Sequence, residues 1–348
     1  MIDYLIVGAG LAGISFAETA SQHQKSFLVF DGNLQSSSSV AGGLYNPVIL
    51  KRYTALANAP EQLQTMKEFY HGVELKLQQQ FNFDLPVLRK FASPEEQNNW
   101  FIAADKPALA PFLATDLVSK KYNGLDSPFD YGKVNASGYV NVALFLKNYR
   151  SDMSSNNLLV TEVFDYNQLE VDSISIKYKD IQSRHIIFAE GFGMHQNPYF
   201  KDLPLDGAKG ELLIIKAPGL NLDVILNTNV FILPLGNDLF KVGATYNWTD
   251  KTDIPTQEAK AELIGRLREI LTCDFEIIDH YAGVRPTVKD RKALIGTHDD
   301  FPSVHILNGL GTRGVMLGPS MAKTLFDHIE YGTAIPRELD MKRFDKRR

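Results

Sequence analysis

The residues with the clearest chemical purpose stand near the N-terminus, where Val7-Gly8-Ala9-Gly10-Leu11-Ala12-Gly13 sets three glycines in the spacing G-x-G-x-x-G. Each glycine serves a mechanical need, Gly8 permitting a tight turn, Gly10 close approach of the backbone to a pyrophosphate, and Gly13 close packing of a helix on a strand. An anion suits such a helix start, whose unsatisfied N–H groups and positive dipole end point at it. Asp31 follows at about 20 residues, where a carboxylate accepts bonds from ribose hydroxyls and disfavours a 2′-phosphate. Together these imply FAD or NAD rather than NADP. A second glycine run, Leu307-Asn308-Gly309-Leu310-Gly311-Thr312-Arg313-Gly314-Val315-Met316, reads as strand, loop and helix start. Its N–H groups would face the pyrimidine edge of an isoalloxazine, which gathers negative charge on reduction, so the run favours a flavin.

The elements that must position these glycines are legible in the apolar pattern. Residues 2–7 read as a buried parallel strand, 11–22 as a helix and 26–30 as a second strand closed by Asp31, which makes a βαβ unit. Gly42-Gly43-Leu44-Tyr45-Asn46-Pro47 calls for a loop of unusual backbone path. Leu63, Met66, Phe69, Tyr70, Val73 and Leu77 form one stripe of a helix from Pro60 to about Phe81. A strand is expected at 185–189, β-like runs at 211–216 and 240–245, and an amphipathic helix at 257–271. This order suggests an antiparallel substrate domain inserted into a parallel nucleotide domain.

Other chemistries lack their residues. With Cys273 as the single cysteine, an intramolecular disulfide is impossible and a cysteine-built metal site is not credible. The histidines, among them His71, His185, His195, His280 and His298, show no pair at helical metal-ligand spacing, so no metal is expected. Neither a G-x-S-x-G elbow nor a Walker lysine occurs. The net charge of −5 gives no global case for nucleic acid. Its one dense basic cluster (Lys342, Arg343, Lys346, Arg347, Arg348) reads as a solvated tail. No apolar stretch reaches a membrane span, and the expected compartment is the cytoplasm.

The N-terminal fingerprint, Phe188-Ala189-Glu190-Gly191, Gly283-Val284-Arg285-Pro286, Leu294-Ile295-Gly296 and the final glycine loop together resemble the D-amino-acid oxidase and glycine oxidase (DAO) family of flavoproteins. Gly42 to Pro47, Gly309 to Gly314 and the closing Pro336 to Phe344 are most similar to the oxidase domain of MnmC, a bifunctional enzyme of tRNA wobble-uridine modification. The resemblance implies an α/β chain: a Rossmann-like FAD-binding domain of glutathione-reductase type interleaved with an antiparallel-sheet α+β substrate domain. The expected division is 1–80, 132–206 and 281–335 for FAD, 81–131 and 207–280 for substrate, and 336–348 as the basic tail. It further implies non-covalent FAD on Gly8, Gly10, Leu11, Ala12, Gly13, Asp31, Ser39, Ala41, Gly42, Gly43, Phe164, Ala189, Gly191, Gly311, Thr312, Arg313, Gly314 and Val315.

If the resemblance holds, Arg285 is the candidate for gripping a substrate carboxylate, since a guanidinium is a planar fork that stays charged in a partly dry pocket. Arg313 competes for that role or lies over the flavin edge. Glu190, where relatives have a small residue, points to solvent or modifies the flavin's surroundings. Tyr246, Trp248 and Tyr281 either line the pocket or belong to the core. The implied reaction is oxidation of the C–N bond of a carboxylate-bearing secondary amine or amino acid. The substrate is either a free small amino acid (glycine, sarcosine or a D-amino acid) or the carboxymethylaminomethyl group of a tRNA uridine. The latter would need a basic face such as Lys51, Arg52, Lys120, Lys121 and the tail. A non-catalytic flavoprotein is the reading from another class. Monomer and dimer stay open.

Overall fold

The computed structural model describes residues 1–32, 37–172 and 175–345. Strand β1 (Ile2–Val7) runs into helix α1 (Leu11–Gln22) and returns as strand β2 (Phe27–Phe30). The strands pair in parallel from Tyr4↔Phe27 to Val7↔Phe30. On its other edge β1 takes the Ile181–Phe188 strand in parallel, and Val304–Asn308 follows beyond that. These belong to an eight-stranded mixed sheet. Its central strands are apolar at nearly every position because both faces are covered.

Helix α1 and the Gly314–Tyr331 helix lie side by side under this sheet. A Cβ on Gly318 would stand 2.8 Å from Ser15 Oγ, and one on Gly314 would stand 3.0 Å from Leu11 Cδ1. Small residues therefore let the two helices touch, and their N-termini emerge together. Pro319 inside the second helix has no N–H for the Val315 carbonyl. The buried Tyr70 hydroxyl donates to that oxygen instead, at 3.2 Å. Tyr70 sits on the Ala59–Leu77 helix, which ends with the stripe at Leu77 rather than at the expected Phe81. Gln78 turns left-handed (φ 51°), and the Glu74 carboxylate accepts from the N–H groups of Phe81 (2.7 Å) and Asn82 (2.6 Å).

A second, seven-stranded sheet carries Ala208–Lys216 between Glu276–Arg285 and Leu239–Gly243. It is antiparallel apart from Ile225–Asn227, which pairs in parallel with Val87–Lys90. Its own core gathers Leu213, Ile215, Ile232, Val242 and Leu263. Tyr131–Val134 and Glu276–Arg285 both lie wholly in this sheet, so it runs across the limits expected at 132 and 281.

The C-terminal segment is not a solvated tail over its described residues. Asp340 bridges Ile295 at the edge of the first sheet, and Met341 is buried. Arg343 Nε donates to Asp290 Oδ2 at 2.7 Å, and Lys342 pairs with Asp299 at 2.7 Å. Neutralising partners hold these cations against the body of the protein. Lys346, Arg347 and Arg348 lie outside the described residues.

Candidate active site

The two helix N-termini open into one cavity of about 880 Å³, within the ordinary size range of ligand sites. One end is the first glycine loop. Gly8 has φ +102°, and a Cβ there would lie 2.5 Å from the Ala189 carbonyl oxygen. At Gly13 the same atom would lie 1.8 Å from the Gly8 carbonyl, which leaves no room for any side chain. At Gly10 it would meet only the Ser38 hydroxyl, at 3.3 Å. Gly10 is therefore small for the sake of what occupies the cavity rather than for the fold.

Polar side chains lock this loop from outside. Asp31 Oδ2 accepts from Ala9 N at 2.6 Å, and Arg150 Nη2 lies 3.4 Å from the same oxygen. Arg150 also donates to the Ala9 carbonyl through Nε (3.1 Å) and Nη2 (2.9 Å). One carboxylate and one guanidinium thus hold both polar groups of Ala9. Sequence reasoning missed Arg150, which reaches the loop from 141 residues away and carries no local signal. It also chose Ser39, which is exposed and off the cavity wall, whereas Ser37 and Ser38 line it and Ser38 Oγ accepts from Leu11 N at 3.3 Å.

The remaining cofactor candidates line the same cavity, from Leu11, Ala12, Ala41, Gly42 and Gly43 to Phe164, Ala189 and Gly191. Gly43 has φ +75°, and its segment is tied to the second sheet by Lys241 Nζ, which donates to the Ala41 carbonyl at 3.2 Å. Burial lowers the Lys241 pKa. Glu190 is half-buried on the cavity wall, and its carboxylate accepts from the Tyr166 hydroxyl and from Asn197 Nδ2 (2.7 Å). Burial raises its pKa, with those two bonds opposing.

Gly311, Thr312, Arg313, Gly314 and Val315 form the far wall beside Arg285. Gly311 N donates to the Pro286 carbonyl at 3.0 Å, which fastens the two arginine-bearing loops together. Arg285 ends its strand beneath Gly210; a Cβ on that glycine would fall 1.9 Å from Arg285 Nη2. A lone glycine inside a strand signals such a close approach, so Gly210 was findable. The guanidinium carbon lies 4.5 Å from the centre of the Tyr246 ring. Its one hydrogen bond among the described residues is a long one, from Nη1 to the Thr245 carbonyl at 3.4 Å. Among the described residues no carboxylate pairs with Arg285 or with Arg313. Burial pushes the pKa of both downward.

Tyr246 is 60% exposed, Trp248 43% and Tyr281 38%, so none is core, and only Tyr246 lines the cavity. It begins a mouth that continues through Lys251, Thr252, Asp253 and Ile254. Buried Lys209 clamps this segment through Asp250 Oδ2 (2.5 Å) and the Ile254 carbonyl (2.5 Å). The bond to Lys209 holds the Asp250 carboxyl down to about 2. Cys273 is remote from the cavity wall, and no metal-suited group of His, Cys, Asp or Glu occurs among the described residues. No helix among them is long and apolar enough to cross a membrane.

A glycine cradle, an acidic residue closing β2 and two helix N-termini on one elongated cavity are the donor set a flavin dinucleotide requires. The sequence profile described as FAD dependent oxidoreductase, DAO, matches residues 3–328. The chain belongs to this family. It is 21% identical to the glycine oxidase of Bacillus subtilis (strain 168) over 94% of its length and 92% of that protein's. Solved structures share the fold. Glycine oxidase from Geobacillus kaustophilus superposes with a TM-score of 0.76 at 14% identity, covering 97% of this chain and 96% of that one. Iminodiacetate oxidase from Chelativorans sp. BNC1 gives 0.77 at 16% identity, covering 96% and 97%. As a DAO-family enzyme the protein depends on FAD, whose redox chemistry the cavity must orient and shield.

Proposed function

We propose that this DAO-family enzyme oxidises the C–N bond of an amine or amino acid bearing a carboxylate. The observation that carries the reading is Arg285, a largely buried guanidinium that no carboxylate of the described chain neutralises. An unpaired buried charge costs several kcal/mol unless a ligand satisfies it. A planar fork aimed at a cavity matches a carboxylate in two-bond geometry. The FAD would be held by the Gly8–Gly13 loop, Asp31, the Ala41–Gly43 segment and the Gly311–Val315 helix start. When bound, it supplies a two-electron acceptor for the hydride on the carbon next to nitrogen. The amine is left as an imine, which water hydrolyses.

The chain's own contribution is orientation. Arg285 fixes the carboxylate, Tyr246 closes one side of the guanidinium, and the Lys209-clamped segment borders the mouth. A substrate that binds unprotonated needs no base from the chain. The relatives named above as glycine and iminodiacetate oxidases are consistent with such substrates.

Whether the amine is free or carried on tRNA turns on the expected basic face. Lys120 pairs with Asp223, Lys121 lies near Asp130, and Lys342 and Arg343 are consumed as described. Lys51 and Arg52 alone of the described members make no ion pair, which favours a free amine. The tRNA reading keeps one support: these two residues follow Ile49, itself on the cavity wall. Anaerobic mixing with glycine, N-methylglycine and carboxymethylaminomethyl-bearing tRNA decides. Bleaching of the flavin by a free amino acid is expected; no bleaching by any amine at saturating concentration would refute the enzyme reading.

A further inference from the structure

Arg285 is not the only unmet cation at this end of the cavity. Arg313 lines the same wall, and the electrostatic neighbours that act on it are Tyr246, which also covers Arg285, and Arg291. Arg291 is exposed, on a left-handed turn (φ +62°) of the loop that leaves Arg285. The Gly311–Pro286 hydrogen bond joins the two loops, and the space above Gly309 is filled by Val288, 2.5 Å from where a Cβ would stand. Arg285 and Arg313 thus stand on the cavity wall, Arg291 sits on the exposed turn of the adjoining loop, and none of the three has an ion-pair partner among the described residues. Asp253 at the mouth is within ion-pair distance of none of them, and Lys251 is already paired with Asp206. The neighbouring Asp290 carboxylate is occupied by Arg343.

We infer that the substrate carries, besides the carboxylate taken by Arg285, a second anionic group that Arg313 receives on the cavity wall, with Arg291 adding its charge from the adjoining exposed turn. This rests on the proposed function and narrows it to dianionic amines. The flavin alone does not account for Arg313, because the adjacent helix N-terminus already presents N–H groups to that wall. Nor does an exposed Arg291 serve the cofactor. The second group is either a carboxylate or a phosphate-like anion, since a guanidinium fork fits both.

The FAD-loaded enzyme should be compared on N-methylglycine, N-(2-carboxyethyl)glycine and N-(2-phosphonoethyl)glycine by stopped-flow flavin reduction. At least one dianion is expected to exceed N-methylglycine by about tenfold or more in the second-order rate constant of reduction, as one charge-assisted pair provides. The better of the two identifies the anion. Arg313→Met and Arg291→Met should each lower the ratio of dianion to monoanion, and Arg313→Lys should restore part of it. If Arg313→Met fails to fold, the surface variant Arg291→Met still decides. Equal rates for all three amines, or a ratio unchanged in both variants, would overturn the inference while leaving the proposed function standing. Absence of reduction by every amine would remove both.

Discussion

The two ends of the cavity are built on opposite principles. At the glycine loop the charged side chains are answered from within the chain, Asp31 and Arg150 gripping Ala9 while Ser38 reaches Leu11 N, and only backbone N–H groups are left for the ligand. At the arginine wall the charges face outward unanswered. The first end is finished before its ligand arrives, whereas the second awaits an anion. A cofactor retained through many turnovers favours a rigid seat, and a substrate that must leave favours charges compensated only while it is bound.

The comparison breaks most severely at Gly13. Gly13→Val should abolish both the yellow colour and the cooperative melt of the protein, since its Cβ would collide with the Gly8 carbonyl. Gly10→Val should lose FAD yet keep the apoprotein's melting temperature, because only Ser38 stands nearby. A folded, yellow Gly10→Val protein would show that the loop is not the pyrophosphate seat.

At the other end, Arg285→Ala should cut the rate of flavin reduction about 100-fold, as expected for loss of a charged pair worth roughly 2–3 kcal/mol. Bound FAD and the melting temperature should change little. A rate within about threefold of wild type would remove Arg285 from the site. Arg150→Met tests the finished end more gently. It should weaken FAD about tenfold, measured by fluorescence titration, because Ala9 O loses two donors; unchanged affinity would make the brace irrelevant.

The smallest effect is on stability with pH. His305 is fully buried between Thr297 Oγ1 (2.8 Å) and His185 Nδ1 (3.0 Å), and burial holds its pKa well below the ordinary value. Its neutral form is the folded one, so the unfolded chain binds the extra proton. The stability it contributes is full above about pH 6.5 and falls as pH drops below that. The melting temperature should decline from about pH 7 to about pH 5.5, and less steeply in His305→Asn. This pair lies on the sheet away from the cavity, so flavin reduction should not follow the same profile.

Local patterns made the βαβ unit legible, since Ile2–Val7, the glycines and Asp31 each report a requirement of their own backbone. The second glycine run was legible for the same reason. The apolar stripe placed the Ala59–Leu77 helix, but the expected end at Phe81 gives way to Leu77, because Glu74 captures two N–H groups across a turn. Sheet membership of Tyr131–Val134 depends on partners far away in sequence, and no periodicity encodes that. Arg285 was found through resemblance, yet its lack of a partner emerged only from the packing. Arg150 left no trace in the sequence because its meaning is a distance.

The C-terminal segment closes the molecule in a way that reaches the site. Arg343 grips Asp290, the residue before Arg291, while Asp340 stitches onto Ile295. The last described turn is thus a guy-rope for the exposed loop that carries Arg291. Ending the chain before Arg343 would leave the paired strands of both sheets in place and slacken the loop that carries Arg291, so substrate preference should register the loss before stability does.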